Sequence, residues 1–356
     1  MKSKYYIIPI FVPNKGCPHN CIFCDQKRIT GEEKDITKAD VENTIDEYLS
    51  TIDREDSTVE LSFFGGSFTG IPISYQNELL DAAKNALNHG RIDAIRLSTR
   101  PDYINKFILD NLKAHDVGII ELGVQSMDGE VLKYSERGHS ADDVINATKL
   151  IREYGFTLGH QMMIGLPKDN EEKDIETAKK IIGLKPDLVR IYPALVIKGT
   201  KMEDLFNEGL YKPLDVDEAV NISAKLYKMF IKNDIKVIRI GLQTTDQINV
   251  GRDVVGGPFH PAFGELVESK VLNEMVQFLF NSYFKDSTEV EINVSPKVIS
   301  KLYAAGKKYF CETLNAFSTK KITVRQNISL NGMTLELISG ETNKKMSIYE
   351  FIKLSK

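Results

Sequence analysis

The feature that most constrains this chain is a strand–helix rhythm running from residue 5 to residue 240. Short apolar runs alternate with stretches of helical spacing. The pattern predicts strands at 6–12, 58–64, 94–98, 118–124, 160–164, 188–192 and 236–240. Between them it predicts helices at 38–51, 74–87, 103–114, 141–154, 172–182 and 216–233. Val41, Ile45 and Leu49 show the helical repeat, with apolar residues four apart on one face. Strands that are mostly apolar read as buried on both sides, which argues for a parallel sheet covered by helices. Polar residues and glycines cluster just after the strands, at the end that carries the active site in α/β barrels. The units are fewer than a full barrel needs. The expected fold is therefore α/β, a partial (β/α)6-type open TIM barrel with a small C-terminal α+β appendage.

Beyond residue 284 the character of the sequence shifts. Residues 289–294, 321–327 and 333–338 read as strands, and 296–315 as a helix. The expected domains are 1–284, a partial barrel with a loop extension, and 285–356, a small α+β domain. The second carries more lysine than acid. A solvated surface is the first reading of that face and a nucleic-acid patch the second. The net charge of −4 gives no global basic bias toward nucleic acid. Hydrophobic residues at 42% allow a sizeable core, so no metal is needed to hold a minimal fold together. No apolar run spans a bilayer, so no membrane association is expected. Residues 5–11 read as a buried first strand rather than a signal peptide, because no small-residue cleavage site follows. Few cysteines and no export signal imply the cytoplasm.

Three of the four cysteines stand close together, at Cys17, Cys21 and Cys24. Thiolates are the soft ligands that iron–sulfur clusters and zinc require. A 4Fe–4S cluster held by three cysteines keeps one iron free for a substrate or cofactor. Zinc is the competing reading, and it needs a fourth ligand. His19 is awkwardly placed for that, between Cys17 and Cys21. Cys311 lies far downstream and is expected to be a buried, inert thiol. A disulfide framework does not suit so long and cysteine-poor a chain.

The loop Cys17-Pro18-His19-Asn20-Cys21-Ile22-Phe23-Cys24 resembles the cluster loop of the radical S-adenosylmethionine enzymes. Phe63-Phe64-Gly65-Gly66-Ser67-Phe68 follows one strand–helix unit later, where that superfamily carries a glycine turn. Further segments are similar to the radical domain of the elongator catalytic-subunit family of tRNA-modifying enzymes. They are Thr99-Arg100-Pro101-Asp102-Tyr103, Glu121-Leu122-Gly123-Val124-Gln125-Ser126, Arg137-Gly138-His139, and the runs at 160–167 and 191–200. The oxygen-independent coproporphyrinogen oxidases share a looser version.

The resemblance implies a radical enzyme with a 4Fe–4S cluster and S-adenosyl-L-methionine as cofactors. It implies that Cys17, Cys21 and Cys24 ligate three irons. Phe23 would pack near the adenine, and Gly65 and Gly66, with Ser67, would meet the methionine end. Gln125, Arg137 and Gln161 would contact the ribose, the carboxylate or the cluster side. A guanidinium at Arg137 suits a carboxylate, while an ion pair with Glu136 or Glu130 is its plainer reading. Ser98 stands where both families usually carry a glutamate, which puts that cofactor contact in doubt. No catalytic side chain is assigned. An electron donor such as flavodoxin or ferredoxin is expected, with RNA, a tRNA base in particular, as the substrate. A small metabolite or tetrapyrrole is the alternative substrate, and a non-catalytic iron–sulfur RNA-binding protein the alternative class. The acetyltransferase region of the elongator family has no counterpart after residue 241, so its acetyl chemistry is not expected. The glycine- and proline-rich stretch 251–265, with Arg252 and His260, is expected to close over the cofactor or to contact substrate, the equal alternative being a structural loop that joins barrel to appendage.

Overall fold

The computed structural model describes residues 4–12, 21–25, 35–242 and 252–355. Contacts group the chain into two units, Met1–Leu214 with Gln243–Phe259, and Asp215–Leu242 with His260–Lys356. The division thus falls at other residues than the change of composition at 284.

In the first unit the strands are β1 (Lys4–Val12), β2 (Ser57–Gly65), β3 (Ala94–Thr99), β4 (Ile119–Gln125), β5 (Thr157–Ile164) and β6 (Leu188–Pro193). All neighbours from β1 to β6 pair in parallel. A short β7 (Val196–Ile197) follows, and β8 (Lys236–Ile240), counted with the second unit, comes after β6 in the strand order. The seven-stranded order β1-β2-β3-β4-β5-β6-β8 is that of an open barrel. The helices of this unit are α1 (Lys38–Leu49), α2 (Ile73–Asn88), α3 (Lys106–Ala114), α4 (Gly129–Tyr134), α5 (Ala141–Glu153), α6 (Glu171–Leu184) and α7 (Lys201–Asn207). Local signals fix where they start. Thr37 with Asp40, and Ser140 with Asp143, form reciprocal capping boxes, and Asn105 and Asn170 cap α3 and α6. Each cap contributes about 1 kcal/mol. The helix expected from Tyr103 starts later, because Pro101–Tyr103 forms a 3-10 turn first. Two short helices, α4 and α7, were not expected.

The core of this unit lies between sheet and helices. Ile8, Ile10, Leu61, Phe63, Ile95, Leu97, Ile120, Leu122, Leu158 and Val189 are buried from the strands, and Val41, Ile45, Leu79, Leu80, Leu109, Leu112, Val144 and Ile181 from the helices. Full burial of such a side chain is worth about 1.5–3 kcal/mol. The opposite face of the strands is not apolar, contrary to the expected character. Glu60, Arg96, Glu121 and Arg190 alternate with the core residues and point into the barrel, where they pair with one another.

The second unit contains α8 (Val216–Lys232), α9 (Phe263–Tyr283) and a four-stranded sheet of order β11-β10-β12-β13. Its strands are β10 (Glu289–Val294), β11 (Lys321–Gln326), β12 (Thr334–Ser339) and β13 (Thr342–Ser347), while β9 (Val254–Gly256) pairs with β7 in the first unit. The helix expected over 296–315 is broken into α10 (Ile299–Leu302), a 3-10 turn and α11 (Lys308–Ala316). Ala305, Gly306 and Lys307 all have positive φ, which no right-handed helix accommodates. β13 and the terminal α12 (Ile348–Leu354) were not expected. Cys311 is exposed, not buried as expected, because it lies on the outer side of α11. On the four-stranded sheet, Lys321 pairs with Glu289 and Arg325 with Glu291. No helix among the described residues is long and apolar enough to cross a membrane.

Candidate active site

The C-terminal strand ends gather at one mouth of the barrel, and the end of the cysteine loop lies there. Cys17 falls outside the described residues, as does His19. Cys21 is buried and Cys24 half-buried. The backbone fixes this segment. Ile22 N donates to Ser135 O at 3.2 Å, Met202 N donates to Ile22 O at 2.9 Å, and Cys24 N donates to Cys21 O at 2.9 Å. Phe23 packs on an apolar cluster of Val131, Leu166, Ala194, Val196, Met202 and Tyr211.

Two arginines face the sulfur of Cys21. Arg137 Nη1 lies 3.3 Å from Sγ, and Arg100 Nη1 lies at 4.0 Å. Arg137 Nη2 donates to Gly123 O at 2.6 Å. The ion pair expected as its plainer role is made elsewhere: Glu136 takes Lys201 and Glu130 takes Lys173. Arg100 holds Asp102 through Nε at 3.0 Å and Nη2 at 3.0 Å, and Nη2 also donates to the Arg137 carbonyl.

Gln125 ends β4 in the left-handed region, at φ 64°, where the pairing register with β5 shifts. A non-glycine residue held there stores strain of about 1–2 kcal/mol. Its neighbour on the same face is Gly123. A Cβ at Gly123 would stand 3.1 Å from Gln125 Nε2 and 3.4 Å from Arg137 Nη2. The glycine therefore makes room for both side chains. Gln125 Oε1 and Arg137 Nε are buried with no hydrogen-bond partner among the described residues. His139 Nε2 lies 3.2 Å from Val124 O. Burial, then the charges of Arg137 and Arg100, push its pKa down to about 3, so the ring is neutral.

Gly65 ends β2 at φ 106°, and a Cβ there would collide with the Val12 carbonyl oxygen. Gly66 N donates to that same oxygen at 3.3 Å. The glycine turn is thus locked onto β1, and Ser67 beyond it is buried.

Ser98 and Gln161 belong to a deeper layer. Gln161 Nε2 donates to Glu121 Oε2 at 2.9 Å and lies 3.5 Å from Ser98 Oγ. Glu121 also accepts from Arg190 Nε at 2.6 Å and Nη2 at 2.9 Å, and from Arg96. Arg96 grips Glu60 with Nη2 at 2.9 Å and with Nε, and Tyr5 donates its hydroxyl to Glu60. Burial alone would raise the Glu121 pKa, but the cations of Arg190 and Arg96 and the Gln161 amide outweigh it and hold it below the usual range. Burial and Glu60 push the Tyr5 hydroxyl up to about 12. Gly159 gives Glu121 its space, since a Cβ there would lie 2.8 Å from Glu121 Cγ.

The structure thus brings Cys21, Arg137 and Gln125 together, sets Ser98 and Gln161 below them, and seats Phe23 in an apolar cluster to the side. Sequence reading missed the roles of Arg100 and Gly123 and the whole charged layer. The signal for that layer was present: one charge stands inside each of four apolar strands, Val-Glu-Leu at 59–61, Ile-Arg-Leu at 95–97, Ile-Glu-Leu at 120–122 and Val-Arg-Ile at 189–191. Two soft sulfur donors, N–H groups aimed at one of them, and unpartnered buried polar atoms alongside fit a thiolate-bound cluster with a polar cofactor.

The family described as the radical SAM superfamily matches residues 11–181, and the radical SAM C-terminal domain matches residues 186–273. A tRNA uridine(34) acetyltransferase of Methanocaldococcus jannaschii is 29% identical over 260 residues, covering 62% of this chain and 48% of the relative. An uncharacterized protein of the same organism is 30% identical over 232 residues, covering 62% of this chain and 70% of the relative. The solved structure of archaeal Methanocaldococcus infernus Elp3, with an N-terminal deletion, has the same fold. It superposes with a TM-score of 0.62 at 23% identity, over 80% of this chain and 68% of that one. The chain spans about half the length of the acetyltransferases it matches. With the open parallel barrel, the end of the cysteine loop at its mouth and these adjoining matches, the chain belongs to the radical SAM superfamily of enzymes.

Proposed function

We propose that this chain binds a 4Fe–4S cluster through Cys17, Cys21 and Cys24, binds S-adenosyl-L-methionine beside it, and modifies an RNA, a tRNA base in particular. One observation carries the reading. Cys21 sits at the barrel mouth against Arg137, with the unpartnered Oε1 of Gln125 in the same group of contacts. When bound, the cluster and S-adenosyl-L-methionine supply a 5′-deoxyadenosyl radical that takes a hydrogen atom from the substrate.

The residues of this chain bind, orient and exclude water. Gly65, Gly66 and Ser67 receive the methionine end, where the absence of side chains on the glycines lets the backbone come close. Gln125 brings a strained, unsatisfied carbonyl that a ligand donor satisfies. Gln161 and Ser98 meet the ribose side, oriented from below by Glu121. Phe23 supplies an apolar wall. The neutral His139 adds no charge beside the two arginines.

The RNA reading is supported by relatives named for a tRNA uridine; their acetyl transfer is not carried over. The electron donor is a flavodoxin or ferredoxin, and the location the cytoplasm. The stretch 252–257 borders the strand ends through the β7–β9 ribbon and the bond from Lys198 N to Asp253 O at 2.8 Å. We assign it to the rim that contacts substrate. Anaerobic reconstitution followed by assay for 5′-deoxyadenosine, with and without total tRNA, tests the whole reading. Product that rises with tRNA supports it. Product indifferent to tRNA removes the RNA substrate, and a metal site fully capped by protein ligands removes the chemistry.

A further inference from the structure

We propose that Arg100 and Arg137 are a linked pair of positioning residues that set the electron affinity of the metal centre through the sulfur of Cys21. The inference rests on the reading of Cys21 as a cluster ligand, and it names a regulation of that site.

The geometry is specific. Arg137 spends Nη1 on the sulfur, at 3.3 Å, and Nη2 on the Gly123 carbonyl, at 2.6 Å. Among the described residues its Nε meets no acceptor, which leaves that edge for a cofactor carboxylate. Arg100 approaches the same sulfur at 4.0 Å and braces Arg137 by donating to its main-chain carbonyl. Asp102 holds Arg100 from the far side with two contacts of 3.0 Å. Arg100 and Arg137 are 3% and 6% exposed, so water screens their charges little. Surface arginines that merely pair with neighbours do not converge on one sulfur atom from two loops.

Hydrogen bonds to the ligating sulfur and the net charge nearby set the potential of an iron–sulfur centre. The reduced centre carries one more negative charge than the oxidised one. A buried cation donating to its sulfur therefore favours the reduced form and makes the potential less negative. The two arginines are unequal. Asp102 neutralises Arg100, whereas among the described residues Arg137 takes only sulfur and carbonyl acceptors. Arg137 carries the larger effect.

The test is a redox titration, followed by electron paramagnetic resonance, of the full chain reconstituted anaerobically. The midpoint moves to more negative potential in Arg137→Gln, by less in Arg100→Gln, and Arg137→Lys recovers part of the shift. Asp102→Asn, which keeps both arginines and removes the countercharge, moves it the opposite way. That variant decides the matter if Arg137→Gln does not take up a cluster. A cluster-loaded wild type whose midpoint matches that of Arg137→Gln or of Asp102→Asn overturns the inference and leaves the cluster assignment standing. So does loss of S-adenosyl-L-methionine binding in Arg137→Gln at an unchanged midpoint, which makes Arg137 a carboxylate holder alone. A wild type that takes up no cluster overturns the assignment itself, and this inference with it.

Discussion

Two layers of the same barrel interior treat buried polar groups in opposite ways. In the lower layer Glu60, Arg96, Glu121 and Arg190 satisfy every charged atom among themselves, with Tyr5, Gln161 and Tyr192 closing the edges. In the upper layer Gln125 Oε1 and Arg137 Nε are buried without partners among the described residues, and Gln125 is held at a costly φ. Unmet hydrogen bonds of this kind cost about 1–3 kcal/mol each. The lower layer is structural: two anions and two cations cancel and lock four strands in register. The upper layer keeps polar groups unsatisfied beside the Cys21 sulfur, where a ligand would meet them. Burial and polarity alone do not separate these two layers; the state of their remaining valences does.

The largest effect belongs to the lower layer. Glu121→Ala strips the buried Arg190 of its carboxylate and leaves Arg96 with Glu60 alone, and breaking such a network costs about 3–5 kcal/mol, read as a drop in the urea midpoint. A loss under about 1 kcal/mol would mean that this layer is as loosely held as the mouth above it. Next comes the frame of the mouth. Gly65→Ala places a methyl against the Val12 carbonyl at a φ that L-residues avoid, and costs about 2–3 kcal/mol in the same experiment.

A third prediction concerns pH. His160 is fully buried and bonded to Thr148 through Nε2 at 2.9 Å; burial, then Arg152, pushes its pKa down to about 3. In the unfolded chain it takes a proton near pH 6.5, and in the folded chain it does not until about pH 3. The unfolded state binds more protons in that window, so stability falls as pH falls, by up to about 1.4 kcal/mol per pH unit. Glu121, also depressed, adds to the loss once pH drops below the ordinary carboxylate range. Unfolding curves at pH 7 and pH 5 check this, and His160→Phe flattens the slope. The smallest stability change belongs to the upper layer. Gln125→Gly relieves the strained φ and forfeits no satisfied carbonyl bond, so stability moves by no more than about 1 kcal/mol. The same variant weakens S-adenosyl-L-methionine binding, read by equilibrium dialysis. If it unfolds the protein as Glu121→Ala does, the contrast between the layers is lost.

Much of the fold was legible because parallel strands and amphipathic helices leave local periodicities. All seven strands expected up to residue 240 are present, with ends shifted by at most three residues. The cysteine loop and the glycine turn were legible because their chemistry is local in sequence. The charged layer was not, because each strand contributes one charge and the balance appears only across four of them. A single Glu60 inside an apolar run reads as an isolated exception. Arg100 was overlooked for a related reason: its meaning depends on a sulfur 79 residues away. The break at Ala305–Lys307 was missed because only Gly306 of those three residues advertises positive φ.

The grip on Ile22 has a consequence for how such a protein can change over time. Its amide and its carbonyl are both clasped by peptide groups, from Ser135 and Met202. Main-chain atoms are common to every amino acid. The two bonds therefore ask nothing of the side chains at 135 and 202, which are constrained by their burial alone, and only an imino acid at 22 or 202 would deny the anchor its proton.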